Sequence, residues 1–210
     1  MSEQAYLMNT NNVLLLLDNL EDWKPYYETS STFTVSDYLK RRPCGKESKL
    51  VINLSNDYSC NSEGYYCSLL AQARGHRVIP GVDVLNKLDS ETGIRMPAVL
   101  QKLCYQWIRK NNLAEGSLWH FNIYFGKCEE KGLERMARFI FDHYPAPLLK
   151  VGLNTRQRNQ VETIQALPLH NLSEKEQDFF AEALDSFNKK IWRAPRSSRQ
   201  RRSALEILHG

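Results

Sequence analysis

The sequence predicts an α/β fold, a Rossmann-like parallel-sheet first half followed by a β-α-β-β-α second half. Three observations carry that prediction. In the first half, short aliphatic runs lack alternation, as strands buried on both faces of a parallel sheet do. Amphipathic segments of helical length stand between those runs. In the second half the pattern changes to one strand of strict alternation, a helix and a two-stranded hairpin.

In chain order, the first aliphatic run is Val13–Leu17, the second covers residues 50–54, and a shorter third covers 76–80. Residues 62–74 read as a helix with Tyr66, Leu69, Leu70 and Ala73 on its apolar side. Gly75 follows at the position where a left-handed residue closes the last turn. The next helix, 97–110, has proline in its first turn and an apolar stripe of Val99, Leu100, Leu103, Cys104, Trp107 and Ile108.

Residues 118–126 then alternate, with Trp119, Phe121, Ile123 and Phe125 facing one way and Leu118, His120, Asn122 and Tyr124 the other. A helix over 131–144 presents Leu133, Met136, Ala137, Ile140, Phe141 and Tyr144, and Pro145 and Pro147 stop it. Strands at 148–153 and 161–167 pair as a hairpin across a polar turn. Ser173 and Glu176 form a capping box for a last helix whose apolar face carries Phe179, Phe180, Ala183, Leu184, Phe187 and Ile191. The predicted organisation is a Rossmann-like half over 1–112 and a second half over 113–192 packed with it as one domain. Residues 193–210 remain as a basic linker leading into the start of a further domain.

Composition narrows the class. With 42% apolar and 25% charged residues the chain is neither disordered nor fibrous. Val13–Leu17, closed by Asp18, is too short for a signal-peptide core or a membrane span, so a cytoplasmic protein without a membrane partner is expected. Five cysteines, Cys44, Cys60, Cys67, Cys104 and Cys128, are an odd number without a C-x-x-C pair, which fits free thiols. Residues 189–202 hold seven basic residues and no acidic one. Such a run grips phosphates by releasing counterions, but no basic face recurs elsewhere, so a solvated linker is the expectation over a nucleic-acid partner.

Ligands in open α/β sheets collect at the carboxyl ends of the strands. There the sequence places Asp18, Asn19, Asp22 and Trp23 after the first strand. Asn53, Ser55, Asn56, Asp57 and Tyr58 follow the second, with Gly64 and Tyr65 opening the helix. Small residues admit a ligand close to the backbone, and tyrosines offer a platform and hydroxyls; the same side chains also serve as helix caps and core. His120 and Asn122 share a strand face and form a further candidate pair. The loop holds one glycine and lacks both G-x-G-x-x-G and G-K-[ST], so neither standard nucleotide site is present. Cys60 near a helix start leaves a cysteine hydrolase or transferase as an alternative, with His76 or His120 as base. No catalytic set and no metal-ligand set is signalled.

The runs VLLLLDNLEDWKPYY, LVINLSNDYSCNSEGYYCSLLAQARGHRVIP, HFNIYFGK and PAPLLKVGL resemble the N-terminal domain found fused to RimK-like ATP-grasp ligases. In that family a basic linker leads to the ATP-grasp domain, whose first strand the terminal SALEILHG resembles. The resemblance implies an accessory domain of a carboxylate–amine ligase that binds or presents an amino-acid or peptide substrate and is not catalytic alone. It also implies a covalently following ATP-grasp domain as partner, with ATP and magnesium bound there and no cofactor in this chain.

Overall fold

The computed structural model describes residues 13–23, 32–41, 48–89, 97–113, 116–155 and 161–193, with side chains left out at 89 and 190–193. Strand β1 is Val13–Leu17, followed by a 3-10 turn at Leu20–Trp23, β2 at Thr32–Thr34 and helix α1 at Val35–Lys40. Strand β3 (Leu50–Asn53), α2 (Glu63–Ala73), β4 (Arg77–Ile79), α3 (Val82–Asp89) and α4 (Ala98–Lys110) complete the first half. Then come β5 (Leu118–Tyr124), α5 (Glu134–His143), β6 (Leu148–Asn154), β7 (Val161–Ala166), a 3-10 turn at Leu169–Asn171 and α6 (Glu174–Arg193).

The first four strands form a parallel sheet in the order β2-β1-β3-β4, and the last three an antiparallel sheet in the order β5-β6-β7. The class is therefore α/β, with the expected β-α-β-β-α second half. The order 2-1-3-4 is that of flavodoxin-like sheets rather than the 3-2-1 order of a dinucleotide-binding half. Strand β2 and helices α1 and α3 are additions to the expected elements. All are short, and α1 is fixed locally by its cap, since Asp37 N donates to Thr34 Oγ1 at 3.0 Å.

The parallel sheet is apolar on both faces. Leu16 and Val51 pack under α1 and α2 with Val35, Tyr38, Cys67 and Ala71. Leu15, Leu17, Leu50 and Ile52 face a larger cluster that also takes in Tyr124, Phe125, Phe141, Leu148, Phe180 and Leu184. The far face of the antiparallel sheet, through Phe121, Ile123, Leu149 and Val151, packs on α4 and α5. This double burial is why β1 and β3 read as unbroken aliphatic runs.

Helix α2 departs from its expected face. Gly64, Cys67, Ser68 and Ala71 are its buried residues, whereas Tyr66 and Leu69 are more than two-fifths exposed. Small side chains let this helix lie close on β3, so the inner face is small and partly polar; Tyr66, Leu69 and Ala73 point outward, while Leu70 packs partly buried against the Leu16 and Val51 cluster. Val99 of α4 is likewise exposed, while Leu100, Cys104 and Ile108 are buried. Alternation in β5 ends at Tyr124. Phe125 has φ +47° and Gly126 φ +81°, so the chain turns tightly, with Tyr124 and Lys127 exchanging both backbone hydrogen bonds at 2.8 and 2.9 Å. Phe125 consequently leaves the Phe121 face and stacks on Phe187, with ring centroids 4.8 Å apart. Ile191 and the basic run beyond Lys189 lie outside the described side chains, as does Cys44.

Helix α2 ends as its sequence predicts. Gly75 has φ +75°, His76 N donates to Ala71 O and Gly75 N to Gln72 O, both at 3.0 Å. Those two bonds are a Schellman closure, which satisfies two of the orphan carbonyls of the last turn. Among the described residues no helix is long and apolar enough to cross a membrane.

Candidate functional site

In a 2-1-3-4 sheet the connections diverge between β1 and β3, and a crevice opens at the carboxyl ends of those two strands. The loops after β1 and β3 do meet there. Ser55 Oγ donates to Asp18 Oδ1 at 2.9 Å, and Asn56 N donates to Asp18 Oδ2 at 2.7 Å. Below them Asn53, fully buried, donates from Nδ2 to Gly64 O at 2.8 Å and to Ser68 Oγ at 3.0 Å, and accepts from Ser55 N at 3.2 Å. Tyr58 Oη donates to Asn53 O at 2.7 Å, and burial, with the Asp18 charge second, pushes that phenol far above its ordinary range. A Cβ on Gly64 would lie 2.2 Å from Asp57 O, so only glycine lets helix and loop approach this closely.

Asp18, Asn53, Ser55, Tyr58 and Gly64 thus form one network, and its geometry decides what the crevice can hold. Three of the amides here already have side-chain acceptors: Asn56 N has Asp18, Ser59 N has Asp57 Oδ1 at 2.8 Å, and Tyr65 N has the Ser62 cap at 3.1 Å. Two carboxylates, Asp18 and Asp57, therefore lie among these donors, a charge that opposes a triphosphate. Asn19 is exposed at the rim, and its carbonyl accepts from Asp22 N at 3.2 Å. Tyr65 Oη reaches Asn86 Oδ1 at 3.4 Å. Trp23 is in the core, edge-on to Phe180 with centroids 6.4 Å apart. Cys60 is exposed beside the start of α2 and His76 follows its end. Eleven helical residues, about 16 Å, therefore separate that thiol from that base.

His120 and Asn122 lie elsewhere, on the open face of the antiparallel sheet. Register sets Asn122 opposite Lys150 and His120 opposite Gly152. A Cβ on Gly152 would come within 2.3 Å of Thr163 Oγ1 and 3.4 Å of the His120 ring, so the glycine makes room for the imidazole. Over this floor is a cavity of about 220 Å³, walled by Glu129 and Glu130 from the segment after β5 and by Glu176 from the first turn of α6. It is smaller than the 300 Å³ or more typical of drug-sized ligands, and suits a small polar molecule or the end of a longer one. Glu176 Oε1 accepts from Asn122 Nδ2 at 2.8 Å and from Tyr124 Oη at 3.3 Å, while its Oε2 accepts from Ser173 N at 2.9 Å and Ser173 Oγ at 2.6 Å.

Charge is uneven around this cavity. The Ser173 hydrogen bonds hold Glu176 below the ordinary carboxylate range. Lys175 reaches Glu129 at 3.0 Å, which raises the lysine's pKa. Burial pushes Glu130 upward, against its own backbone amide and with Glu129 and Glu176 adding to the push. Its Oε2 is out of contact with solvent and has no hydrogen-bond partner. Among the described residues no group of His, Cys, Asp and Glu has the geometry to hold a metal ion. Tyr124, Glu129, Glu130, Lys150 and Glu176 were not legible as site residues. The alternation of β5 put Tyr124 on the right face, but the other four come from other elements, and Glu176 reads from sequence only as a cap.

Fold and sites define an α/β protein that combines a parallel sheet, whose switch-point side chains bond to one another, with an antiparallel sheet bearing a polar cavity. Residues 35–183, more than half of the chain, match the family model of the RimK-like ATPgrasp N-terminal domain. The chain belongs to that family, the N-terminal part of RimK-like ATP-grasp proteins, as its motifs imply. Comparison with curated proteins gave no match.

Proposed function

We propose that this chain is the accessory domain of a RimK-like ATP-grasp carboxylate–amine ligase and that it binds or presents an amino-acid or peptide substrate without being catalytic itself. The observation that carries the reading is the cavity over β5 and β6, within the family-matched region. It is of amino-acid size and has both carboxylates and Lys150 on its walls. A lining that carries both carboxylates and a lysine suits a zwitterion, whose two ends bear opposite charges. In this reading ATP and magnesium belong to a covalently following ATP-grasp domain. The unpaired thiols Cys60, Cys67, Cys104 and Cys128 support a cytoplasmic setting.

Amide-resolved NMR titration of the chain with glycine, alanine and short peptides tests the proposal. Saturable shifts at His120, Asn122, Lys150 and Glu176 are expected, together with no phosphate release when ATP and the same ligands are supplied. A flat titration with every ligand, or steady ATP hydrolysis by a clean preparation, refutes it.

A further inference from the structure

Resting on the peptide form of that reading, we infer that the substrate is held by its main chain: an extended peptide adds as a further strand to the open edge of β5. Strand β5 is the outer strand of the order β5-β6-β7 and pairs with β6 alone. Its two ends fix which backbone groups point outward. Tyr124 spends its N–H and C=O on Lys127, away from β6, whereas Ser117 O accepts from Thr155 N on the β6 side at 3.2 Å. Backbone groups alternate in direction along an antiparallel strand, so Leu118, His120 and Asn122 turn theirs outward with Tyr124. Among the described residues those three have no main-chain partner outside the ladder, and Leu118 and His120 are exposed. Such an edge templates another strand unless charge, proline, a bulge or brevity blunts it. Strands β2 and β4 are three residues long, and β7 carries Glu162. The LWHFNIY of β5 has no charged residue and no proline, and the register irregularity of this sheet falls between β6 and β7. Two features select a peptide over a second copy of the chain. The Tyr124–Lys127 bridge closes one end of the edge, so the open stretch from Leu118 to Asn122 is about 14 Å long, the span of about five extended residues. His120 and Asn122 also floor the cavity, and directly opposed residues of a strand pair project to the same face, so the peptide's side chains would stand over the cavity. A second copy would bring a like set of carboxylates to that face instead.

Hydrogen exchange of the full chain, followed by NMR, reads the edge residue by residue. The probe is acetyl-Lys-Thr-Val-Thr-Val-Thr-Lys-amide, which favours an extended form and has no terminal charges. In the chain alone the amides of Trp119, Phe121 and Ile123 are expected to exchange slowly and those of Leu118, His120 and Asn122 fast. Saturating peptide should slow the second set at least about tenfold and leave the first unchanged. The same peptide N-methylated at every threonine and valine keeps its side chains, loses those main-chain donors and should give no protection. Equal protection by both peptides, or shifts at Lys150 and Glu176 without new protection at Leu118 and His120, overturns the edge inference and leaves the substrate-binding reading standing. Protection of the same amides in the chain alone, rising with its concentration, assigns the edge to a second copy and overturns the peptide. Silence with the peptide while glycine still shifts the cavity amides overturns this inference alone, and silence with every amino acid and peptide overturns both.

Discussion

Replacing Gly64 by alanine sets two effects against each other, and the structure decides which wins. Alanine is favoured over glycine by about 1 kcal/mol inside a helix, so propensity alone predicts stabilisation. The added Cβ, however, would sit 2.2 Å from Asp57 O, 2.6 Å from Ser55 Oγ and 2.7 Å from Ser55 Cβ. None of these is the loose end of a flexible side chain. The first is backbone, and Ser55 is 3% exposed and tied to Asp18. Reaching ordinary van der Waals distance requires a displacement of about 1 Å between α2 and the loop, and the bond from Asn53 Nδ2 to Gly64 O lies across that gap. Overpacking of this kind costs about 1–3 kcal/mol and each buried hydrogen bond lost about 1 kcal/mol more. The net expectation is about 2 kcal/mol of destabilisation, a fall of roughly 1 M in the urea midpoint. Gly75→Ala is the control, since φ there is +75° with nothing within 4 Å, and it should cost about 1 kcal/mol through backbone strain alone. A Gly64→Ala chain as stable as the parent, followed by tryptophan fluorescence, would show that the close approach of loop and helix is not what fixes this residue.

The thiols divide by environment: burial pushes Cys67, Cys104 and Cys128 each up to about 12, with the charges of Glu63 and Asp18 adding at Cys67 and those of Glu130 and Glu134 at Cys128. Iodoacetamide at neutral pH should therefore modify exposed Cys60 and spare those three until urea unfolds the chain, and mass spectrometry showing early labelling of Cys104 would contradict this. His76 is held below its ordinary pKa by burial, then by Arg74 and Lys49, and its Nδ1 accepts from Lys49 N at 3.2 Å. A lowered histidine pKa means that the unfolded chain binds the proton first. Its contribution to stability is whole above pH 6.5 and is lost as pH falls from there through the folded value. Urea titrations across that window should slope less in His76→Gln, and parallel slopes would remove the histidine from the account. Glu176 is lowered by its hydrogen bonds, so its contribution is present above the ordinary carboxylate pKa of 4.5 and lost as pH falls through the folded value. Glu176→Ala should cost about 1–2 kcal/mol, as a lost cap and two orphaned donors, and a change under about 0.3 kcal/mol would mean that the cap is idle.

What the sequence made legible follows from how local each signal was. The boundaries of β1, α4, β5 and the α2 terminus at Gly75 rest on runs, alternation and a cap that neighbouring residues define, and the structure has them within a residue or two. Strand β2 and helices α1 and α3 span 3, 6 and 8 residues, too short to declare themselves without the sheet and helices they pack on. The inner face of α2 was hidden for another reason. Its contacts with β3 run through Gly64, Ser68 and a buried asparagine, which a search for an apolar stripe passes over in favour of Tyr66 and Leu69. The same distinction governs the sites. Loops after β1 and β3 converge because the sheet is parallel, so their meeting at Asp18 could be read in advance, and the polarity of those loops looked like a ligand site. Among the described residues, the side chains of Asp18, Asn53, Ser55 and Tyr58 bond within the loops themselves. The cavity at His120 and Asn122 depends on a register pairing Asn122 with Lys150 and on the first turn of α6 passing above β5, neither of which any local pattern encodes. Glu176 joins the two scales. Its distance from Ser173 in sequence makes it a cap, and the antiparallel sheet beneath it makes the same carboxylate a wall of the cavity, so the start of α6 and the shape of the candidate site are fixed by one side chain.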